Sequence, residues 1–309
     1  MSKLQTPGLD SPLVVNPALS IIRGSDDEIM SRYGSRSRSS YRVTDTEGRG
    51  VLADFVRSFS QPQTPRQAAS QLDIDEETCA EFLENLSEGS LLIPPEQARY
   101  GQIIGAMHVV PEDSDETSVS VLGSGRLADA TAAQLSDLLS TEVTVSDDLE
   151  SAFEDHDFVV VCADRLNQPF FYDADEMARA ADRPWHLSYL DGAEIIVGPT
   201  FIPGESTNYF DRDTLDEAAR TLRFEHQYMA SAEPEVPATQ PIPLFAAQLA
   251  AGWTTSAVAQ HLWGQGSFLE DYVLRIDLER MQVIRDRVLR LARNPVTVGS
   301  RPDLRHPFI

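Results

Sequence analysis

Apolar residues follow two different regimes along the chain. Up to about residue 95, short alternating runs give way to segments with apolar positions three and four apart. The runs ALSIIRG, EIMSRYG and SYRVTD read as strands, with GSRSRSS as a turn. Three helices follow. In GVLADFVRSFS, Val51, Leu52, Phe55, Val56 and Phe59 share one face. TPRQ opens the second, with Thr64 as N-cap, Pro65 at the first helical position and Gln67 completing a capping box. DEETCAEFLENLSEGS is the third: Asp75 caps it, Ile74 staples onto Cys79, Phe82, Leu83 and Leu86 turn inward, and Gly89 ends it. LLIP closes the unit as a short strand or a tail. Three strands and three short helices predict a small winged-helix-type domain over residues 18–95. Residues 1–17 are aperiodic and read as a disordered tail. Residues 96–116 read as a linker, with PEDSDET its most polar part.

From residue 117 to 309 strand-like and helical patterns alternate. SVSVLGSGRLADATAAQLSDLLS is a strand, a glycine turn and a helix, with Ala128, Ala132, Leu135, Leu138 and Leu139 on one helical face. TEVTVSD, FVVVCAD, WHLSYL and AEIIVGP are further strands, separated by the helical DLESAFED and ADEMARAAD. Such alternation predicts an α/β domain around a parallel, Rossmann-like sheet. IPLFAAQLAAGWTTSAVAQHLW reads as a helix weakened at Gly252 and Trp253. YVLRIDLERMQVIRDRVLRLARNP then reads as a strand pair, with Leu274, Ile276 and Leu278 on one face.

The 309 residues carry a formal net charge of -24, and Lys3 is the only lysine. An acidic surface opposes sequence-independent nucleic-acid binding, which needs cations against phosphates. Excess acid over lysine fits a high-salt cytoplasm. Neither a signal peptide nor a membrane-length apolar run is visible, so the expected location is cytoplasmic. The two cysteines, Cys79 and Cys162, lie in apolar patterns and read as buried free thiols. The six histidines, His108, His156, His186, His226, His261 and His306, have no metal-ligand spacing.

One turn carries candidate chemistry. VLGSGRLAD fits the G-x-G-x-x-A form of the dinucleotide fingerprint through Gly123, Gly125 and Ala128, between a strand and a helix. Asp147 ends the next strand, where an acid can bind a ribose hydroxyl. Such turns also persist for packing alone. The only cation near it is Arg126, and SDDLESAFEDHD after the second strand is acidic, which disfavours a triphosphate. Gly123, Gly125 and Asp147 therefore read as a vestigial nucleotide site.

The features VLGSGRLAD, FVVVCAD, VGPTFIPGESTNYFD and VLRLARNPVTV, in that order, resemble the ThiF-like, ubiquitin-activating-enzyme-like proteins. More narrowly, the second domain resembles the partner proteins of YcaO cyclodehydratases, which install azolines in ribosomally made peptides. Those proteins commonly hold a structural zinc on two C-x-x-C pairs. Here Asn208 and Asp211 stand at the first pair and Asn294 and Thr297 at the second, a donor set too hard for such a site. The resemblance thus implies a retained loop without the metal. The first domain resembles a PqqD-like RiPP recognition element, in which a leader peptide adds as a strand to the sheet edge. That resemblance places the edge at SYRVTD, with Tyr41, Arg42, Val43 and Thr44, and the neighbouring groove at Phe82, Leu83 and Leu86.

Together the two resemblances imply a leader-binding scaffold, catalysing nothing by itself, that presents a precursor peptide to a YcaO partner. The scaffold carries no cofactor, and ATP is expected on that partner. The rivals are an adenylating enzyme with a reduced ATP site and a purely structural subunit of the synthetase. A DNA-reading regulator is disfavoured, because its reading helix DEETCAEFLENLSE is acidic. The helix IPLFAAQLAAGWTTSAVAQHLW is apolar enough to serve as an interface, with core packing the favoured role, and a homodimer stays open.

Overall fold

The computed structural model describes residues 8–36, 40–87, 90–101, 117–139, 142–219, 240–264, 266–292 and 294–296. The chain divides into two compact units, Met1–Glu112 and Asp113–Ile309.

The first unit contains β1 (Val14–Val15), β2 (Ser20–Ser25), β3 (Glu28–Arg32), β4 (Ser40–Thr44), α1 (Leu52–Ser58), α2 (Pro65–Leu72), α3 (Glu76–Ser87) and β5 (Leu92–Ile93). Strands β2, β3 and β4 form an antiparallel sheet in that order, and β1 pairs with β5. The helices close over one sheet face. Ile29 meets Leu52, Phe55, Val56, Phe59, Phe82 and Leu83 in one core, and Phe55 packs on Phe59 and Phe82 with ring centres 5.2 and 5.5 Å apart. Local chemistry sets the helix starts as read: Thr64 and Gln67 form the capping box, and Asp75 accepts from the Thr78 N–H at 2.8 Å.

The N-terminal reading needs correction. Residues 8–17 are part of this unit: Leu13 is fully buried and bridges to Gln63, and β1 is tied to β5. A two-residue strand has no periodicity of its own, and its partner lies far along the chain. Residues 1–7 fall outside the described residues. The unit also runs past residue 95 through a short 3-10 turn, Pro95–Tyr100, which buries Tyr100. The rest of the expected linker, 102–116, falls outside the described residues.

The second unit contains β6 (Val119–Leu122), α4 (Arg126–Leu138), β7 (Val143–Ser146), α5 (Leu149–Glu154), β8 (Phe158–Ala163), α6 (Gln168–Ala181), β9 (Trp185–Asp191), β10 (Glu194–Phe201), α7 (Tyr209–Ala219), α8 (Leu244–Leu262), β11 (Tyr272–Asp277) and β12 (Gln282–Arg287). Its seven-stranded sheet has the order β12-β11-β10-β9-β8-β6-β7. The four strands β7, β6, β8 and β9 are parallel, as expected of a Rossmann-like sheet. Strands β10 to β12 extend it antiparallel. The reason is local: only Gly192 and Ala193 separate β9 from β10, too few for a crossover, and Gly192 takes φ +60°. Helices cover both faces. Helices α4 and α8 bury one apolar cluster, and α5, α6 and α7 bury the other.

Helix α8 runs unbroken through Gly252 and Trp253. Ala246, Ala247, Ala250 and Ala251 lie buried on its inner side, and this packing outweighs the weak helix propensity of glycine. Leu274, Ile276 and Leu278 join the same cluster, as their alternation predicts.

Candidate functional site

In the first unit, β2 and β4 are the sheet edges. The Asp45 N–H donates to the Asp27 carbonyl at 2.8 Å, which fixes the phase of the ladder. Carried along the register, Tyr41 and Val43 direct their backbone groups toward β3, whereas Ser40, Arg42 and Thr44 direct theirs outward. Alternation then sorts the side chains. Tyr41 and Val43 are half-buried against the core, and Arg42 and Thr44 are exposed on the outer face. Arg42 is 66% exposed and pairs with Glu28 at 2.5 Å.

Phe82, Leu83 and Leu86 do not line a groove. They are 2%, 2% and 0% exposed and belong to the core. Helical periodicity marks an inward face and cannot tell a groove floor from an interior. The outer face of α3 carries Glu76, Glu77, Glu81 and Glu84 instead. Arg49 binds Asp45 at 3.0 Å and Glu81 at 2.8 Å and lies over the Phe82 ring, so it ties the end of β4 to this helix.

In the second unit, chain order reverses between β6 and β8, and the crevice at such a switch point is where open α/β sheets bind ligands. The predicted turn is there. Gly123 follows β6 and donates its N–H to the Ser146 carbonyl at 2.9 Å, and Gly125 caps α4. Asp147 follows β7 and is exposed. Both glycines are needed for packing. Their φ angles are +141° and +111°, and a Cβ on Gly123 would stand 2.1 Å from the Cys162 carbonyl oxygen.

Sequence reasoning missed the residue that matters most here. The Asp164 carboxylate sits at the start of α4 and accepts from the N–H groups of Arg126 at 3.1 Å and Leu127 at 2.9 Å. Those amides are what a helix N-terminus offers to phosphate. Arg126 is also engaged, donating through Nη1 to the Ile242 carbonyl at 2.9 Å. A triphosphate placed here would meet a carboxylate in its seat and an arginine already committed to a backbone carbonyl. The helix-start amides and the Arg126 guanidinium are thus both engaged by the chain's own groups. The signal available in sequence was an acid directly after the apolar strand FVVVCA.

Three of the four positions that the resemblance sets against zinc cysteines come together. Asn208 and Asp211 form a reciprocal cap on α7: Asn208 Oδ1 accepts from the Asp211 N–H at 3.0 Å, and Asp211 Oδ2 from the Asn208 N–H at 3.3 Å. Asn294 Nδ2 donates to Asn208 Oδ1 at 2.9 Å and to Asp211 Oδ1 at 2.8 Å. The Leu291 N–H donates to Asp211 Oδ1 at 2.9 Å, and the Val296 N–H to Asn294 Oδ1 at 2.9 Å. The three residues are 7%, 1% and 1% exposed. Thr297 lies outside the described residues. Every side-chain oxygen of the trio already accepts a hydrogen bond, and a cation would face the Asn294 amide hydrogens, so the cluster does not fit zinc. Among the described residues no group of His, Cys, Asp and Glu could hold a metal ion.

Among the described residues no other constellation suggests catalysis. His186 is fully buried, bonds to Thr200 Oγ1 at 2.8 Å, and is pushed down to about 3 by burial. His156 meets Thr144, and His261 meets Glu270. His108, His226 and His306 lie outside the described residues. Both cysteines are buried and free, and burial pushes the Cys162 thiol up to about 12. Among the described residues no helix is long and apolar enough to cross a membrane.

No protein-family model and no curated protein matches the chain. Solved structures do. A heterocyclase in complex with substrate and cofactor is 16% identical, with a TM-score of 0.70 over 91% of this chain and 38% of its own. The heterocyclase TruD is likewise 16% identical, with a TM-score of 0.68 over 91% of this chain and 42% of its own. E. coli MccB with AMPCPP and MccA is 13% identical, with a TM-score of 0.58 over 91% of this chain and 98% of its own. The chain thus spans about two fifths of the heterocyclases and nearly all of MccB. It shares the fold of these proteins: a small N-terminal domain followed by a Rossmann-like domain.

Proposed function

We propose that the chain is a non-catalytic scaffold that binds the leader of a ribosomal precursor peptide and presents it to a YcaO enzyme for azoline formation or a related backbone modification. The observation that carries this reading is Asp164 in the phosphate seat of the switch-point crevice. A helix start already engaged by a carboxylate supports a unit without nucleotide chemistry of its own, and among the described residues no strand pairs with the outward side of β4. The match to two heterocyclases, one of them in complex with substrate and cofactor, supports a place in peptide backbone modification. Main-chain pairing along β4 supplies affinity, and side-chain contacts supply choice.

The test is fluorescence anisotropy with the labelled precursor peptide encoded beside this gene, together with ATP–pyrophosphate exchange by the purified chain. Saturable binding that a scrambled leader abolishes, with no exchange, is the expected result. The absence of leader binding by folded protein would leave a purely structural subunit. Exchange activity would overturn the scaffold in favour of an adenylating enzyme. That second reading draws on the match to nearly the whole of MccB and on Gly123, Gly125, Asp147 and Asp164 lying at one end of the parallel strands.

A further inference from the structure

The sheet edge is basic although the protein as a whole is acidic. From residue 29 to residue 44 the chain has no acidic residue, and Arg32, Arg36, Arg38 and Arg42 all fall there, in a protein of net charge -24. Arg38 lies outside the described residues, and the surface is built here from the other three. Arg36 is exposed, Arg32 is exposed and donates to the Ser35 carbonyl at 2.7 Å, and Arg42 projects from β4 itself. Ile22, Met30 and Arg42 line up across the three strands, and Ile22 and Met30 are 51% and 39% exposed. Ser20, Arg32 and Ser40 form the next row. The outer sheet face is therefore a basic surface with an apolar stripe. On the other side, α3 is acidic through Glu76, Glu77, Glu81 and Glu84.

We infer that β4 selects an extended peptide in which acidic and apolar residues alternate. This rests on the reading that β4 receives a peptide strand. A strand added to β4 continues the pleat, so alternate side chains fall on opposite faces. One set lies on the outer face beside Arg42, where carboxylates meet the arginines. The other set lies beside Tyr41 and Val43, which are half-buried and apolar enough to pack aliphatic residues. The acidic set belongs on the outer face because α3 repels it from the inner one. Glu28, the present partner of Arg42, is replaced or shared by the incoming carboxylate. At about 1 M salt the Debye length is only about 3 Å. Contact pairs at the strand persist there, whereas long-range attraction does not, so the code is read side chain by side chain.

The experiment uses the full chain and three labelled eight-residue peptides that alternate valine with glutamate, glutamine or lysine. The glutamate peptide is expected to bind about tenfold tighter than the glutamine peptide, from several exposed ion pairs of modest strength. Raising salt should narrow that gap. Arg36→Glu with Arg42→Glu should invert the preference toward the lysine peptide. Both side chains are exposed, and Arg36→Glu alone, which leaves the Arg42–Glu28 pair intact, gives a milder check. Thr44→Pro, which removes one outward N–H, should weaken all three peptides alike.

Equal affinity for the glutamate and glutamine peptides, or no binding of any peptide, overturns the inference. So does single-stranded DNA that competes as well as the glutamate peptide, since it marks an unselective anion surface. The genomic precursor separates the two levels of argument. If the double arginine variant binds it unchanged, the acidic code fails and the scaffold stands. If neither protein binds it, the scaffold fails.

Discussion

The two units treat their open positions in opposite ways. In the second unit, two seats that the family resemblance would give to phosphate and to metal are engaged by the chain's own groups. Asp164 accepts from the first amides of α4, and Asn208, Asp211 and Asn294 close on one another through their side chains. In the first unit, β4 is an edge of the described sheet, no other described strand pairs with it beyond β3, and Arg42 projects from it. An edge strand left uncovered invites pairing with another chain.

The largest expected effect tests whether the glycine turn survives for packing. Gly123→Val places a Cβ on the Cys162 carbonyl oxygen at a φ of +141°. Urea denaturation should show the second unit losing on the order of 4 kcal/mol or more. A loss below about 1 kcal/mol would mean that the turn yields easily and that the glycine has another role.

Mild acid should separate the units. His186 is held neutral by burial, with its folded value near 3 against about 6.5 in the unfolded chain. The unfolded state takes up the proton first as pH falls. The stability contributed by this group is therefore complete above about pH 6.5 and declines toward pH 3, by roughly 1 kcal/mol per pH unit. Residues 1–101 contain no histidine, so the first unit lacks this contribution over those residues. Thermal melts of wild type and His186→Gln between about pH 7 and pH 4 provide the check. The variant should show the shallower pH slope, and parallel slopes would remove His186 from the account.

A smaller loss should follow from opening the polar cluster. Asn294→Ala removes both side-chain donors from Asn208 and Asp211, which are buried, at a cost of about 2–3 kcal/mol. A chelator should leave the melting temperature of the wild type unchanged. Sensitivity to the chelator would show a metal after all and would break the comparison at its second seat.

What was legible in the sequence was local. Thr64 and Gln67 state their helix start within four residues, and Asp75 states the next. Gly123 and Gly125 mark a turn because no other residue suits their backbone there. Partners far apart in sequence were hidden. Strand β1 has meaning only beside β5, and Asp164 caps a helix that starts 38 residues before it. The continuity of α8 through Gly252 follows from the alanines packed around it, which no propensity records. Phe82, Leu83 and Leu86 had the correct inward face, but depth below the surface is a tertiary property. Asn208, Asp211 and Asn294 were found by position in a family frame, and only the structure shows their mutual hydrogen bonds.

The smallest structural change gives the sharpest division between scaffold and enzyme. Asp164→Asn keeps one side-chain oxygen for the helix amides and discards the charge, so it should cost only about 1 kcal/mol. If Asp164 fills the seat of a lost phosphate, wild-type protein shows no saturable ATP binding by calorimetry. The variant, with less repulsion at the helix start, then takes up ATP or tripolyphosphate weakly at low salt. If the crevice instead belongs to an adenylating enzyme, the carboxylate is available to magnesium, and the order reverses: wild type binds magnesium–ATP and the variant loses it. The two readings thus predict opposite signs for one uncharged substitution. A wild type that binds ATP more tightly than Asp164→Asn would show that the second unit is open like the first.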